Sequence, residues 1–527
     1  ERRERMHEAD CQDREIRQKD HYHKCRMRMS DIFLKISLFF LLYSALNTET
    51  YGINVTEASL YEVSINGVNK PVKTYRQFDI PVHAVHTVLD ARSACIKIKI
   101  KEKICSYQIS PLSRELKGEV TGKELVFSVD KPEYLIIKIN ELAYLFLMID
   151  NPLEDIRPNK EMHIRNVLDF GVDRTGRNLS TFLFQKAINE TARKGEVLYI
   201  PEGVYVTGQL NLVKDAVIYL ADGACIKASI NADDFPDKAL LYINHASNIK
   251  IIGYGTIDGS GYTGLRKNGG QGCHLIYMYE CQNVEIDGPL LLDPCFWNVR
   301  AFKSKEVHLR NIKILNNRPY ENWNNTDGID FDSSIDCSVN NAILHCGDDN
   351  LVVKGLDSER VFNTENILFE KVVTLSNSAA TKIGTETCVE YFKNIVFKNI
   401  DIVKCKRAMV INVYDSAYVK NIVFENINVE AFDYKGVEVP RIIDFEITDT
   451  SWRPCLGNCR IDGVKIRDIH IYPDVQKVCS QLLGKSEPYS IRGVSIENLR
   501  IGRHLVHRPE DMNLKINEYV FDCEIKP

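Results

Sequence analysis

The sequence predicts an all-β protein, a right-handed parallel β-helix (solenoid) preceded by a small β-sandwich domain. Three observations predict it. An imperfect unit reading Asn-Ile-x-Phe-x-Asn-Ile recurs, clearest at Asn394–Ile400 and again 27 residues later at Asn421–Ile427. Short alternating β-type runs separated by polar turns fill residues 53–157. A single stretch, Ser180 to Ala192, carries convincing helical periodicity, with Phe184, Ala187 and Ile188 on its apolar side.

Taken in chain order, residues 1–29 mix basic and acidic side chains and are expected to be a disordered upstream extension. Residues 30–50 hold the apolar run Ile36 to Leu46 behind Arg26, Arg28 and Lys35, which reads as a signal peptide starting at Met27 or Met29. The run is too short for a comfortable membrane span, so no stable membrane insertion is expected. A secreted, extracellular protein follows. The sequons at Asn54, Asn178 and Asn189 agree with that. A fourth, at Asn324, abuts the acidic motif described below and is expected to stay unmodified.

Of 16 cysteines, Cys95 with Cys105 and Cys455 with Cys459 are spaced as local disulfides. No Cys-x-x-Cys pair or histidine partner accompanies them, so zinc is not indicated. Formal charge is −5, with no basic cluster, which argues against nucleic acid as a partner. No cofactor is called for, and a monomer is expected.

Within 53–157 the runs Tyr61–Ile65, Cys95–Ile100, Leu125–Val129 and Tyr134–Ile139 alternate with period two, the pattern of strands with one buried face. Asn151-Pro152 and Arg157-Pro158-Asn159 mark a linker. The β-helix is expected over 164–520, with the Ser180 helix covering its first coil. Weaker copies of the repeat start at Val307, Asn366, Val464 and Val494. A leucine-rich repeat would show a regular leucine frame and helical return segments, and neither is present. Asn residues at the repeat corners suit ladders of left-handed turn residues.

The chemistry is concentrated in Asn325-Thr326-Asp327-Gly328 and Gly347-Asp348-Asp349. The step from Asp327 to Asp348 is 21 residues, about one coil, so the three carboxyls are expected on adjoining rungs. Strand spacing then allows separations of roughly 6–9 Å, the range of an inverting glycoside hydrolase that leaves room for water. Crowded carboxyls should raise at least one pKa, as a general acid requires.

These segments resemble the signature of glycoside hydrolase family 28, the polygalacturonases and relatives. Supporting matches are Gly255 to Gly261, Pro294-Cys295-Phe296-Trp297 and Lys382-Ile383-Gly384-Thr385, and the resemblance covers about residues 164–500. It implies a polysaccharide substrate, Asp348 as general acid, Asp327 and Asp349 activating water, and Asp330 as a supporting carboxylate. Ser378-Ala379-Ala380 stands where the family usually has Gly-His-Gly, and Val410-Ile411-Asn412 where it has Arg-Ile-Lys. Both changes remove charge-assisted contacts that favour a uronic acid. Lys382, Lys406 and Arg407 are candidate substitutes.

Asn325, Glu386, Trp297 and Tyr414 are further substrate-side candidates, with Tyr320 and Trp323 as additional aromatics. His345 is either a hydrogen-bond partner of the acid or a core residue. The layout is also similar to family 49 hydrolases of neutral α-glucans, and a non-catalytic glycan-binding solenoid is the rival from another class.

Overall fold

The computed structural model describes residues 60–527 except 78–79, 91–92, 154–160, 317–324, 360, 435–438, 451–456, 458 and 473–477. The expected signal peptide, most of the linker, Tyr320, Trp323, the Asn324 sequon and Cys455 lie outside the described residues. Among those described, no helix is long and apolar enough to cross a membrane.

The N-terminal part is two five-stranded sheets. The strand Ala94–Ile100 shows why it forms: Ala94, Ile96, Ile98 and Ile100 face inward while Cys95, Lys97 and Lys99 stay exposed. The hairpin Tyr61–Ile65 to Val68–Lys70 turns on Asn66-Gly67, both at positive φ (51° and 76°). Cys95 and Cys105 are separate exposed thiols rather than the expected disulfide. Cys95 lies in the strand Ala94–Ile100 and Cys105 follows a bend at Lys101 and Glu102, with Ile100 N–H bonded to Lys123 O and Ile104 N–H to Gly122 O. Their backbone N–H groups are anchored to different turns, Cys95 to Asn66 Oδ1 at 2.8 Å and Cys105 to Asn140 Oδ1 at 2.9 Å.

Two strands, Tyr134–Ile139 and Leu145–Asp150, are apolar on both faces. Leu135, Ile137, Leu145 and Leu147 fill the sandwich core. Tyr134, Ile136, Phe146 and Met148 instead pack on Leu290, Leu315, Ile343 and Val373 of the solenoid. Beneath this seam lies a buried ion pair between Lys313 and Asp150; Asp150 also accepts from Tyr134 Oη and lies 2.8 Å from His86 Nε2. Lys313 is 1% exposed and also donates to Gly288 O at 3.0 Å.

Among the described residues, the strands from Ile164–Asn166 to Val520–Lys526 form one stack of 28, almost all paired in parallel with the next coil. Register places like on like. Phe369, Phe397 and Phe424 stack at 5.0 Å with their planes within 8°. Asn366, Asn394 and Asn421 form the expected corner ladder, each at positive φ, with amide bonds of 3.0 and 3.3 Å. In the next two coils Gly463 and Gly493 occupy that corner (φ 68° and 62°), which explains why those copies of the repeat look weaker. The helix Thr181–Lys194 buries Phe184, Ala187 and Ile188 against the first coils and ends at Gly195 in the left-handed region.

Breaking a buried ion pair by removing one partner typically costs about 3–5 kcal/mol. Lys313→Met should therefore lower unfolding free energy by about that amount in urea, with Lys313→Met/Asp150→Asn recovering a large part. A single-variant loss below about 1 kcal/mol would show that the pair does not hold the sandwich to the solenoid.

Candidate active site

The site stands on the strands Val299–Phe302, Ile329–Asp332, Leu351–Gly355, Ala379–Lys404, Arg407–Val413 and Arg441–Ile447. Parallel pairing aligns Arg300, Asp330, Val352, Lys382, Val410 and Asp444 in one file across successive coils. Ile329 and Phe331, of opposite parity, point into the core. Asp327 precedes its strand and is held level with the next coil, because Gly328 N–H bonds Asp349 O at 2.8 Å. Gly328 is required by close approach: a Cβ there would sit 2.4 Å from Asn350 O. Gly384, at φ 95°, would place a Cβ 2.0 Å from Asn412 O.

The three expected aspartates and Asp330 meet in one cluster. Lys354 Nζ lies 2.9 Å from Asp327, 3.4 Å from Asp330 and 3.6 Å from Glu386, and sits 3.7 Å from the centroid of the Trp297 ring. Lys382 Nζ donates to Asp349 at 2.6 Å, Ala379 N–H donates to the other oxygen at 2.9 Å, and Arg407 stands 3.9 Å away. Asp348 accepts from the backbone N–H of Asn325 at 2.7 Å and of Asp349 at 3.0 Å. Asp327, Asp330 and Asp349 are buried, while Asp348 and Glu386 are half-buried.

Burial sets these protonation states apart. It pushes the Asp327 carboxyl well above its usual range, opposed by Lys354 and reinforced by Asp330, Asp348 and Asp349. Asp330 is pushed up to about 7 by burial, against the pull of Lys354 and Arg300. Asp348 is raised by burial and by the charge of Asp349, against the Asn325 N–H. For Asp349 burial also works upward, but Lys382 and Arg407 outweigh it and hold the carboxyl below the usual range. Two adjacent carboxyls thus differ: one keeps its proton longer and its neighbour stays ionised.

Asn325 reaches the cluster through its backbone, at φ 65°. Trp297 is 5% exposed and stacked on Phe296, so it seats the Lys354 ammonium rather than presenting an open platform to a sugar. Tyr414 is half-buried beside Glu446 and Asp444, its hydroxyl pushed up to about 12, chiefly by burial. His345 is a core residue at the sandwich seam, stacked on Phe146 at 5.5 Å and lowered to about 3 by burial. Lys406 is buried.

Sequence reasoning missed Lys354, Arg300 and the group around Asp444. Arg300 donates to Asp332 at 2.6 Å. Asp444 accepts from Gln481 at 2.7 Å and faces Arg441 at 3.2 Å and Arg407 at 3.5 Å. The available signal for Lys354 was its place in the otherwise apolar run Leu351-Val352-Val353-Lys354.

The profile of Glycosyl hydrolases family 28 matches residues 191–500. The chain belongs to that family. Every residue of the cluster lies within the family 28 match, whereas the sandwich precedes it. A probable polygalacturonase of Vitis vinifera is 28% identical over 259 residues, covering 42% of this chain and 52% of that protein. An exo-poly-alpha-D-galacturonosidase of Dickeya chrysanthemi is 22% identical over 409 residues, covering 58% and 65%. The chain therefore spans between half and two thirds of the length of these relatives. Among solved structures, an exopolygalacturonase from Thermotoga maritima aligns with a TM-score of 0.48 at 19% identity, covering 70% of this chain and 93% of that one.

The raised pKa of Asp330 makes a stability prediction. Its folded value of about 7 exceeds the unfolded value near 3.8, so the folded state binds more protons between these values. Stability attributable to this group is full below about 3.8 and falls as pH rises to about 7. Asp330→Asn should flatten that decline, raising the melting temperature at pH 7 more than at pH 4. An equal change at both pH values would contradict the assignment.

Proposed function

We propose that the chain is an extracellular hydrolase of a pectin-class polysaccharide that inverts configuration at the cleaved bond. The observation that carries this reading is the unequal pair Asp348 and Asp349, supported by membership of family 28. Asp348 donates its proton to the leaving glycosidic oxygen as the bond to the anomeric carbon breaks. Water attacks that carbon from the opposite face. Asp349, ionised beside Lys382, takes the water proton, while Asp327, its carboxyl pushed up by burial and held 2.9 Å from Lys354, orients the water by a hydrogen bond. Lys354 offsets the repulsion among Asp327, Asp330 and Glu386, which lets buried carboxyls coexist around a reacting centre.

Asp348→Asn removes the transferable proton without changing shape. Release of reducing ends should fall by about 10²–10⁴-fold, the usual contribution of a general acid. The activity of the unaltered protein should also decline as pH rises and Asp348 loses its proton. Product anomers followed by NMR should show inversion. Undiminished turnover in the variant, or a retained anomer, would refute the mechanism; polysaccharide binding with no hydrolysis in the unaltered protein would favour the glycan-binding reading.

A further inference from the structure

Register sets two files of side chains face to face at the seam between sandwich and solenoid, and both end in a lysine. On the sandwich, Tyr134 and Ile136 pack on the solenoid, and period-two alternation puts Lys138 next in their file. On the solenoid, Leu315, His345, Leu375 and Lys404 are paired in succession from coil to coil. A cavity of about 290 Å³ lies against both files. Its walls include Val82, Leu142, Phe146 and Leu375, and His345, Lys138 and Lys404 reach it as well.

Three polar groups on this lining are unspent. His345 interrupts a file of leucines, is 3% exposed, and its buried Nδ1 has no hydrogen-bond partner among the described residues. Burial keeps the ring neutral, and a buried N–H without an acceptor is costly. The proton therefore sits on Nε2, which leaves Nε2–H as the donor on offer to an occupant. The ammonium groups of Lys138 and Lys404 make no hydrogen bond among the described residues. Their nearest carboxylates are Glu141 at 3.8 Å and Asp433 at 3.7 Å, both beyond bonding distance.

These groups describe a ligand. Two unspent ammonium groups select a carboxylate, and the apolar walls select a ring. A bare inorganic anion would leave those walls uncovered and lose its hydration for little return. The imidazole donor calls for a second oxygen on the ring. We propose that this cavity binds a small aromatic carboxylate carrying a hydroxyl across the ring from its acid group. The cavity backs onto the segment that carries Asp348. His345 precedes that residue by three positions; Asn377 N–H, also on the lining, bonds Cys346 O at 3.3 Å, and Ser376 Oγ donates to Asp348 O at 2.9 Å. An occupant thus bridges the two domains directly behind that segment.

The test titrates the unaltered protein with 4-hydroxybenzoate by calorimetry, beside benzoate and methyl 4-hydroxybenzoate. One molecule of 4-hydroxybenzoate should bind per chain, with affinity falling as salt is added, and should raise the melting temperature. Both comparison compounds should bind at least tenfold more weakly, one lacking the charge and the other the hydroxyl. Lys138→Gln/Lys404→Gln should lose at least tenfold in affinity for the acid while hydrolysing polysaccharide as before, since neither lysine belongs to the aspartate cluster. His345→Leu should bind 4-hydroxybenzoate no better than benzoate.

No binding up to millimolar concentration, equal binding of acid and methyl ester, or undiminished binding by the double lysine variant overturns the inference. So does a His345→Leu protein that still prefers the hydroxylated acid. Each readout is a binding measurement, so the outcome stands apart from whether the aspartate cluster hydrolyses a polysaccharide.

Discussion

Parallel register is the constraint on which this molecule depends. Each coil takes its hydrogen-bond partners from the coil before it, so a side chain's height and direction are inherited rather than chosen. That inheritance stacks Phe369, Phe397 and Phe424 in the core and Asn366, Asn394 and Asn421 at a corner. The same rule brings Arg300, Asp330, Lys382 and Asp444 into one outward file, although 144 residues separate the first from the last.

Once acidic side chains are stacked this closely, electrostatics decides what the site can do. Four buried or half-buried aspartates would repel one another without Lys354 and Lys382 between them. The lysines are not placed symmetrically. Lys382 bonds Asp349 directly and acts on Asp348 only at longer range, whereas Lys354 is shared by Asp327, Asp330 and Glu386. Unequal compensation is what separates the protonation states of neighbouring groups, and a symmetric arrangement would have left them alike. The ring of Trp297 beneath Lys354 keeps that ammonium in place without adding another negative charge.

The sandwich is tied to the solenoid by apolar burial and by a small buried polar group at the same seam. Strands Tyr134–Ile139 and Leu145–Asp150 carry apolar residues on both faces because both are covered, one by the opposing sheet of the sandwich and one by the solenoid. Glu430 on the solenoid side accepts from Ser110, Gln108 and the Leu112 N–H, and Asp401 accepts from Ser113. The contact includes directed hydrogen bonds as well as apolar area, so the two parts have a defined mutual position.

The residue pattern by itself determined the architecture, the coil length, the capping helix and which aspartates would meet, because period-two burial and a repeating corner residue are local properties. Asp327, Asp348 and Asp349 were legible for that reason, as were the Asn ladders. Tertiary structure alone decided which cation serves which carboxyl, that Trp297 seats a lysine, that His345 belongs to a seam between domains, and that Cys95 and Cys105 stay apart. Each of these depends on how side chains from coils tens of residues distant share a small volume. Pairing and burial at that range are set by register and packing between segments, quantities no single stretch of chain encodes.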